Sequence, residues 1–255
     1  MENTFMPGIL MSLLSLACIV VLMVGLSKSL ALAGLENAAR KRTFTLTLTS
    51  IIAWVGLLGV LSVMGVFRDF STVPPRLLPV LFAAFFIVLL ITFSKGVTNL
   101  LKSVPPHWLV YFQSFRILVE LLLWIAFSRG LLPVQMTFDG YNFDIVSGVL
   151  TLPVGWALAT RKPYAKVLGI VYNIIGLLLL FNIITVAVLS MPTPFRQFMN
   201  EPANTIVAEF PFIYLPGVLV VLAFSFHVFS LRQLVGEASP FLNSGNSVLK
   251  KGEAS

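Results

Sequence analysis

The stretch AKVLGIVYNIIGLLLLFNIITVAVLS, residues 165–190, decides what kind of molecule this is. It carries a single charge, Lys166 near its start, and shows no polar–apolar alternation from Ile174 to Phe181. A membrane strand alternates over about ten residues, whereas a helix needs about 20 largely apolar residues to cross a bilayer core. The stretch reads as a membrane-crossing helix.

Working outward with the same ruler gives seven such runs, near 8–33, 44–66, 77–95, 107–129, 143–160, 165–190 and 205–231. Pro74-Pro75 and Pro105-Pro106 each precede an apolar run, where proline suits the first helical turn. Asp139-Gly140, Arg161-Lys162-Pro163 and Pro192/Pro194 punctuate the rest. The whole chain of 255 residues is 58% hydrophobic and 11% charged. An average soluble domain is roughly 25% charged, so there are too few charges here to cover a water-facing surface. Disorder is excluded as well, because it needs low hydrophobicity. The sequence therefore predicts an all-α, polytopic integral membrane protein. Residues 1–232 form a seven-transmembrane-helix bundle and 233–255 a disordered cytoplasmic tail. The membrane is expected to be a bacterial inner membrane or a plasma membrane.

The basic residues orient the bundle. Twelve Lys and Arg, among them Lys28, Arg40, Lys41, Arg42, Lys95, Lys102 and Arg232, fall on one side, against Arg68, Arg76, Arg129 and Arg196 on the other. Basic loops stay in the cytoplasm, which puts the N-terminus outside, the C-terminus inside, and requires an odd number of spans. The net charge of +7 is thus a topology signal. No basic stripe forms a continuous face, so nucleic acid is not an expected partner. Cys18 is the sole cysteine and offers no disulfide framework. Met1-Glu2-Asn3 lacks the basic start of a secretory signal, and the first run reads as a permanent helix.

Function is sought in the polar residues at bilayer depth, where an ionisable group costs from about 2.5 kcal/mol upward. In the fourth run Gln113, Arg116, Glu120 and Trp124 lie within about 80° of one another on a helix. Arg116 and Glu120 stand at i,i+4, the spacing of a direct pair. In the fifth run Asp144, Ser147, Gly148, Thr151 and Gly155 share a side that lets helices approach closely. Asn173 lies with Gly169 and Gly176 in the sixth. In the seventh, Pro211 and Pro216 bracket Phe212 to Leu215, a broken helix of the kind transporters use. Glu120, Asp144, Glu201 and Glu209 all fall toward the outer side, as an acidic vestibule would. Residues 195–199 read as a short interfacial helix over it. The candidate binding residues are Gln113, Arg116, Glu120, Asp144, Asn173, Glu209 and Tyr214.

No catalytic or metal-ligating set is present. The sequence shows no Ser/His/Asp arrangement, His-Glu-x-x-His, paired catalytic carboxylates or phosphate-binding glycine loop. The run 205–231 holds no lysine for a retinal Schiff base. No cofactor is expected. The one arrangement to weigh is a haem between His107 and His227, the only two histidines, both read near the cytoplasmic boundary. The leading expectation is a protein that binds or translocates a small solute or proton through the polar core, with the lipid bilayer as its other partner. A membrane sensor or assembly subunit with a purely structural bundle is the second reading, and an intramembrane lipid-modifying enzyme the third.

Overall fold

Apolar runs become helices, and the prolines and glycines set where each one stops. The structure, a computed structural model, describes residues 2–236. α1 (Glu2–Leu32) and α2 (Asn37–Val63) form a hairpin turned at Gly34, whose φ of +66° suits a residue without a side chain. α3 (Leu77–Thr92) bends by 72° into α4 (Lys95–Ser103), where Ser94 caps the new helix by accepting from the Val97 amide. α5 (Pro106–Phe112) and α6 (Phe115–Ser128) follow, then α7 (Asp144–Ala159) and α8 (Ala165–Leu189). A π-helical turn over Leu215–Val220 opens α9 (Val221–Val235). No strand occurs among the described residues.

Five helices are long and apolar enough to cross a membrane, and the bent α3–α4 pair makes a sixth if it counts as one span. α7 has only 16 residues. The protein is accordingly an all-helical membrane protein. We call the end that carries the loops 129–143 and 190–214 the upper end, and the opposite end, with α4 and the C-terminus of α9, the lower one.

The seventh apolar run departs from expectation. Its first ten residues are not membrane helix but a 3-10 turn, Ile206–Ala208, and further turns up to Tyr214. Pro211 lacks an amide for the helical ladder, and the regular helix starts only once Pro216 is in its first turn. At the other end α9 runs to Val235, so residues 233–235 belong to the helix rather than to a tail. The rest of the expected tail, 237–255, lies outside the described residues. The expected interfacial helix at 195–199 is also replaced. There Arg196 gathers the carbonyls of Phe198 and Asn200 (2.9 and 2.8 Å) and the Glu201 carboxylate (2.9 Å), which holds the segment in an irregular turn.

The body is α3 with α5–α9. Phe85 stacks on Phe224 at 4.2 Å and Phe112 on Phe226 at 4.0 Å, tying α9 to α3 and α5. α7 crosses close to α5 and α6 because it presents glycines there. A Cβ on Gly148 would meet Ile117 at 2.7 Å, and one on Gly155 would enter the Tyr111 ring. The α1–α2 hairpin is peripheral by contrast. Only 22% and 17% of their most apolar stretches are buried, against 56% for Pro106–Ser128. The hairpin is fastened near the upper end, where Trp54 Nε1 donates to the Gly217 carbonyl (2.8 Å) and Ser62 Oγ to that of Ala208 (2.8 Å).

The tight α5–α7 crossing predicts that Gly155→Ala lowers stability by about 1–3 kcal/mol, the cost of overpacking a filled core. Gly25→Ala, with open space around it, leaves the melting temperature unchanged or slightly raised. Thermal denaturation of the purified protein in detergent reads both.

Candidate functional site

Between α5 and α6 the backbone tightens. Gln113, Ser114, Arg116 and Ile117 each donate to the carbonyl three residues back rather than four. This overwinding turns successive side chains further round than an α-helix does, so the polar stripe of this segment fans out. Gln113 reaches α9, donating from Nε2 to the Ala223 carbonyl at 2.9 Å. Arg116 turns into the centre of the body, and Glu120 faces the upper loops.

Arg116 is 1% exposed, and every one of its five N–H donors has an acceptor. Nε and Nη2 grip the two oxygens of Asp144, the first at 2.7 Å, in a bidentate fork. Nη1 donates to Ser147 Oγ (2.8 Å) and to His227 Nε2 (2.6 Å), and Nη2 also reaches the Gly176 carbonyl (3.3 Å). One guanidinium thereby joins α6, α7, α8 and α9. Asp144 is the first residue of α7, where the helix dipole favours a carboxylate.

The chain of bonds continues beyond His227. A guanidinium only donates, so Nε2 accepts and Nδ1 carries the proton, which it donates to Asn173 Oδ1 at 2.9 Å. Asn173 Nδ2 in turn donates to Ser230 Oγ (2.8 Å) and the Gly169 carbonyl (2.7 Å). Gly176 must be glycine here, because a Cβ would run into the His227 ring.

Glu120 does not pair with Arg116, despite their i,i+4 spacing. The arginine's donors are spent on Asp144 and its neighbours, and Glu120 Oε1 instead accepts from Asn142 Nδ2 at 2.6 Å. Asn142 also donates to the Met136 carbonyl (3.1 Å) and accepts from the Asp144 amide (3.1 Å), so it locks the inward-folded loop 129–143 onto α7. Gln135 adds a bond from Nε2 to Ser190 Oγ, 3.1 Å. Glu120 is 1% exposed and its Oε2 has no hydrogen-bond partner among the described residues. A cavity of about 70 Å³ lies against it, walled by Asn142, Asp144 and apolar side chains from α3, α8 and the π turn.

The expected residues therefore divide. Arg116, Glu120, Asp144 and Asn173 come together in one buried network, with Gln113 tied to α9 beside it. Glu209 and Tyr214 do not join, because they lie in or beside the irregular segment that ends at Ile213, which faces α2. Glu209 lies 3.7 Å from Arg68, and Tyr214 packs its hydroxyl against Gly59. The acidic vestibule also dissolves into pairs. Asp144 is held by Arg116, Glu209 by Arg68 and Glu201 by Arg196. Hydrogen bonds from Arg196 and from the Ala203 amide hold the Glu201 carboxyl below the usual carboxylate range. The sequence reading missed His227, Asn142 and Ser230 as members of the network. Their signals were His227 and Ser230 at i,i+3 in an apolar run, and Asn142 two residues ahead of a buried acid. Both ring nitrogens of His227 are bonded to protein groups.

A membrane helix bundle organised round a buried, fully bonded guanidinium is the class of protein that this geometry defines. The chain belongs to the family described as a domain of unknown function, DUF8737, whose model matches residues 73–235. The match begins just ahead of α3 and takes in the entire Arg116 network. No curated protein and no solved structure matches the chain.

The fork identifies the true partner of Arg116. Removing one member of a buried pair costs about 3–5 kcal/mol, whereas replacing both with apolar groups is often neutral. Arg116→Met should therefore destabilise the protein by that amount, and adding Asp144→Leu should recover most of it. Adding Glu120→Leu instead should recover little. Melting temperatures of the three variants in detergent decide between the two pairings.

Proposed function

We propose that this membrane protein takes up and passes a proton at Glu120, with the seven-span, N-outside arrangement that its basic loops imply. The supporting observation is the cavity at Glu120. At about 70 Å³ it is the size of a few waters, so of the two cargoes the sequence admits, a solute or a proton, the geometry favours the proton. A carboxyl buried away from any uncommitted cation is costly in its ionised form, and protonation removes that cost while giving Oε2 a hydrogen to donate into the cavity. Asn142 positions the carboxyl through Oε1. Arg116, locked to Asp144, fixes the electrostatic background without competing for the proton.

In this reading the loop 129–143 is the barrier on the upper, outward side, since its buried Gln135, Thr137 and Asn142 close over Glu120. The membrane is a bacterial inner membrane or a plasma membrane. A purely structural bundle is the second reading, and the complete bonding of Arg116 supports it. The two part company over what Glu120 does.

Protein reconstituted in vesicles with an internal pH dye separates them. Under an imposed pH gradient, Glu120→Gln should cut proton flux by about a hundredfold, the contribution of one positioned proton-transfer group, while the melting temperature stays close to that of the wild type. The infrared spectrum of the wild type should contain a protonated-carboxyl band that the variant lacks. Wild-type flux no greater than that of empty vesicles would leave the structural reading standing.

A further inference from the structure

The α1–α2 hairpin is bonded to the body near its upper end, and α1 touches α4 with Leu22 against the Leu101 and Leu109 cluster below; between hairpin and body lies a cleft of about 1340 Å³. Its walls run along α1 from Leu14 to Ser29, which at 1.5 Å per residue is about 22 Å. One leaflet of a hydrocarbon core is about 15 Å deep, so the cleft is a channel longer than a leaflet rather than a compact pocket. Its lining is apolar apart from a few hydroxyls and Lys28, and it contains no Asp, Glu or His. It is therefore built to hold something apolar and long.

The lower mouth states the charge of that occupant. α4 floors the cleft with Val97, Leu100 and Leu101, while Lys95, Asn99 and Lys102, one face of the helix at i, i+4 and i+7, stay exposed. An amphipathic helix with lysines on its open face lies in the headgroup plane, and the 72° bend from α3 sets it there. Across the mouth stand Lys28 of α1 and Arg40, Lys41 and Arg42 of α2, with Glu36 the one acid nearby. None of these cations makes an ion pair among the described residues, whereas three of the four upper arginines, Arg68, Arg76 and Arg196, have a carboxylate. The lower end is an array of uncompensated positive charge over an apolar channel.

We infer that this cleft binds an anionic phospholipid, its acyl chain lying between the hairpin and the body and its headgroup held by Lys28, Lys95 and Lys102. The inference requires that the chain lie in a bilayer and is independent of the role of Glu120. Membrane-surface lysines attract anionic lipid, and three of them at one mouth select it over a zwitterionic one.

The cleft carries its own reporters, since Trp54 and Trp108 both line it. In the 255-residue chain bearing Trp124→Phe and Trp156→Phe they are the only tryptophans left. Detergent-solubilised protein is titrated with phosphatidylglycerol brominated on its acyl chains, and in parallel with brominated phosphatidylcholine. The anionic lipid should quench at a several-fold lower mole fraction. Lys28→Gln with Lys102→Gln, both at exposed positions that folding does not need, should erase that difference. Gly25→Phe, which builds a ring into the open space of the cleft, should weaken quenching by both lipids. Equal quenching by the two lipids overturns the inference. So does native mass spectrometry that finds a lipid-free dimer, because a second copy of the chain would then be the occupant.

Discussion

The body of this protein depends on placing a guanidinium where there is no water. Arg116 carries a permanent charge with five donors and no acceptor, and leaving any of them unmet at that depth would be prohibitive. The surrounding helices are arranged to meet them all. α7 brings Asp144 on its first residue and Ser147 one turn later, α8 a backbone carbonyl, and α9 an imidazole nitrogen. The acceptors come from three helices besides its own, so the charge can be satisfied only when four helices are correctly placed. The glycines at 148 and 176 let the helices come near enough for this.

The same condition explains the outward parts of the structure. Because Asp144 is consumed by the arginine, the next carboxyl along, Glu120, turns to an amide, and the loop bearing Asn142 is drawn down into the body. α9 presents His227 toward Arg116, and its upper turns are irregular. There the π turn at Leu215–Val220 stands with prolines beside it, and Trp54 from the hairpin caps a carbonyl.

Much of this was open to reading from the chain alone. The apolar runs located the helices, because bilayer thickness sets a length that few other constraints imitate. Arg116, Glu120, Asp144 and Asn173 stood out, because charge and amide groups inside apolar runs need partners. What stayed hidden was which partners. A helical wheel assumes 100° per residue, and the tightened backbone at 113–117 breaks that assumption, so Arg116 and Glu120 part although their spacing says they should meet. His227 was misplaced for a related reason. Its distance from the end of an apolar run gave it an interfacial depth, yet helical structure begins about ten residues later than the run does, with the π turn at Leu215, and the imidazole lies in the centre. Trp54, anomalous at mid-span in the sequence, is explained only by a carbonyl 163 residues away.

The row of bonds from Arg116 through His227 to Asn173 has a sense of direction. The arginine can only give hydrogens, so the imidazole must receive on one nitrogen and give from the other. The amide must receive on its oxygen, and its nitrogen is left to give to Ser230 and to the backbone of α8. No member can turn round without all the others turning, and the first cannot turn at all. Shape alone therefore does not qualify a replacement at these positions. An aspartate at 173 matches the asparagine atom for atom in outline, yet it has nothing to give onward, and the row would end there.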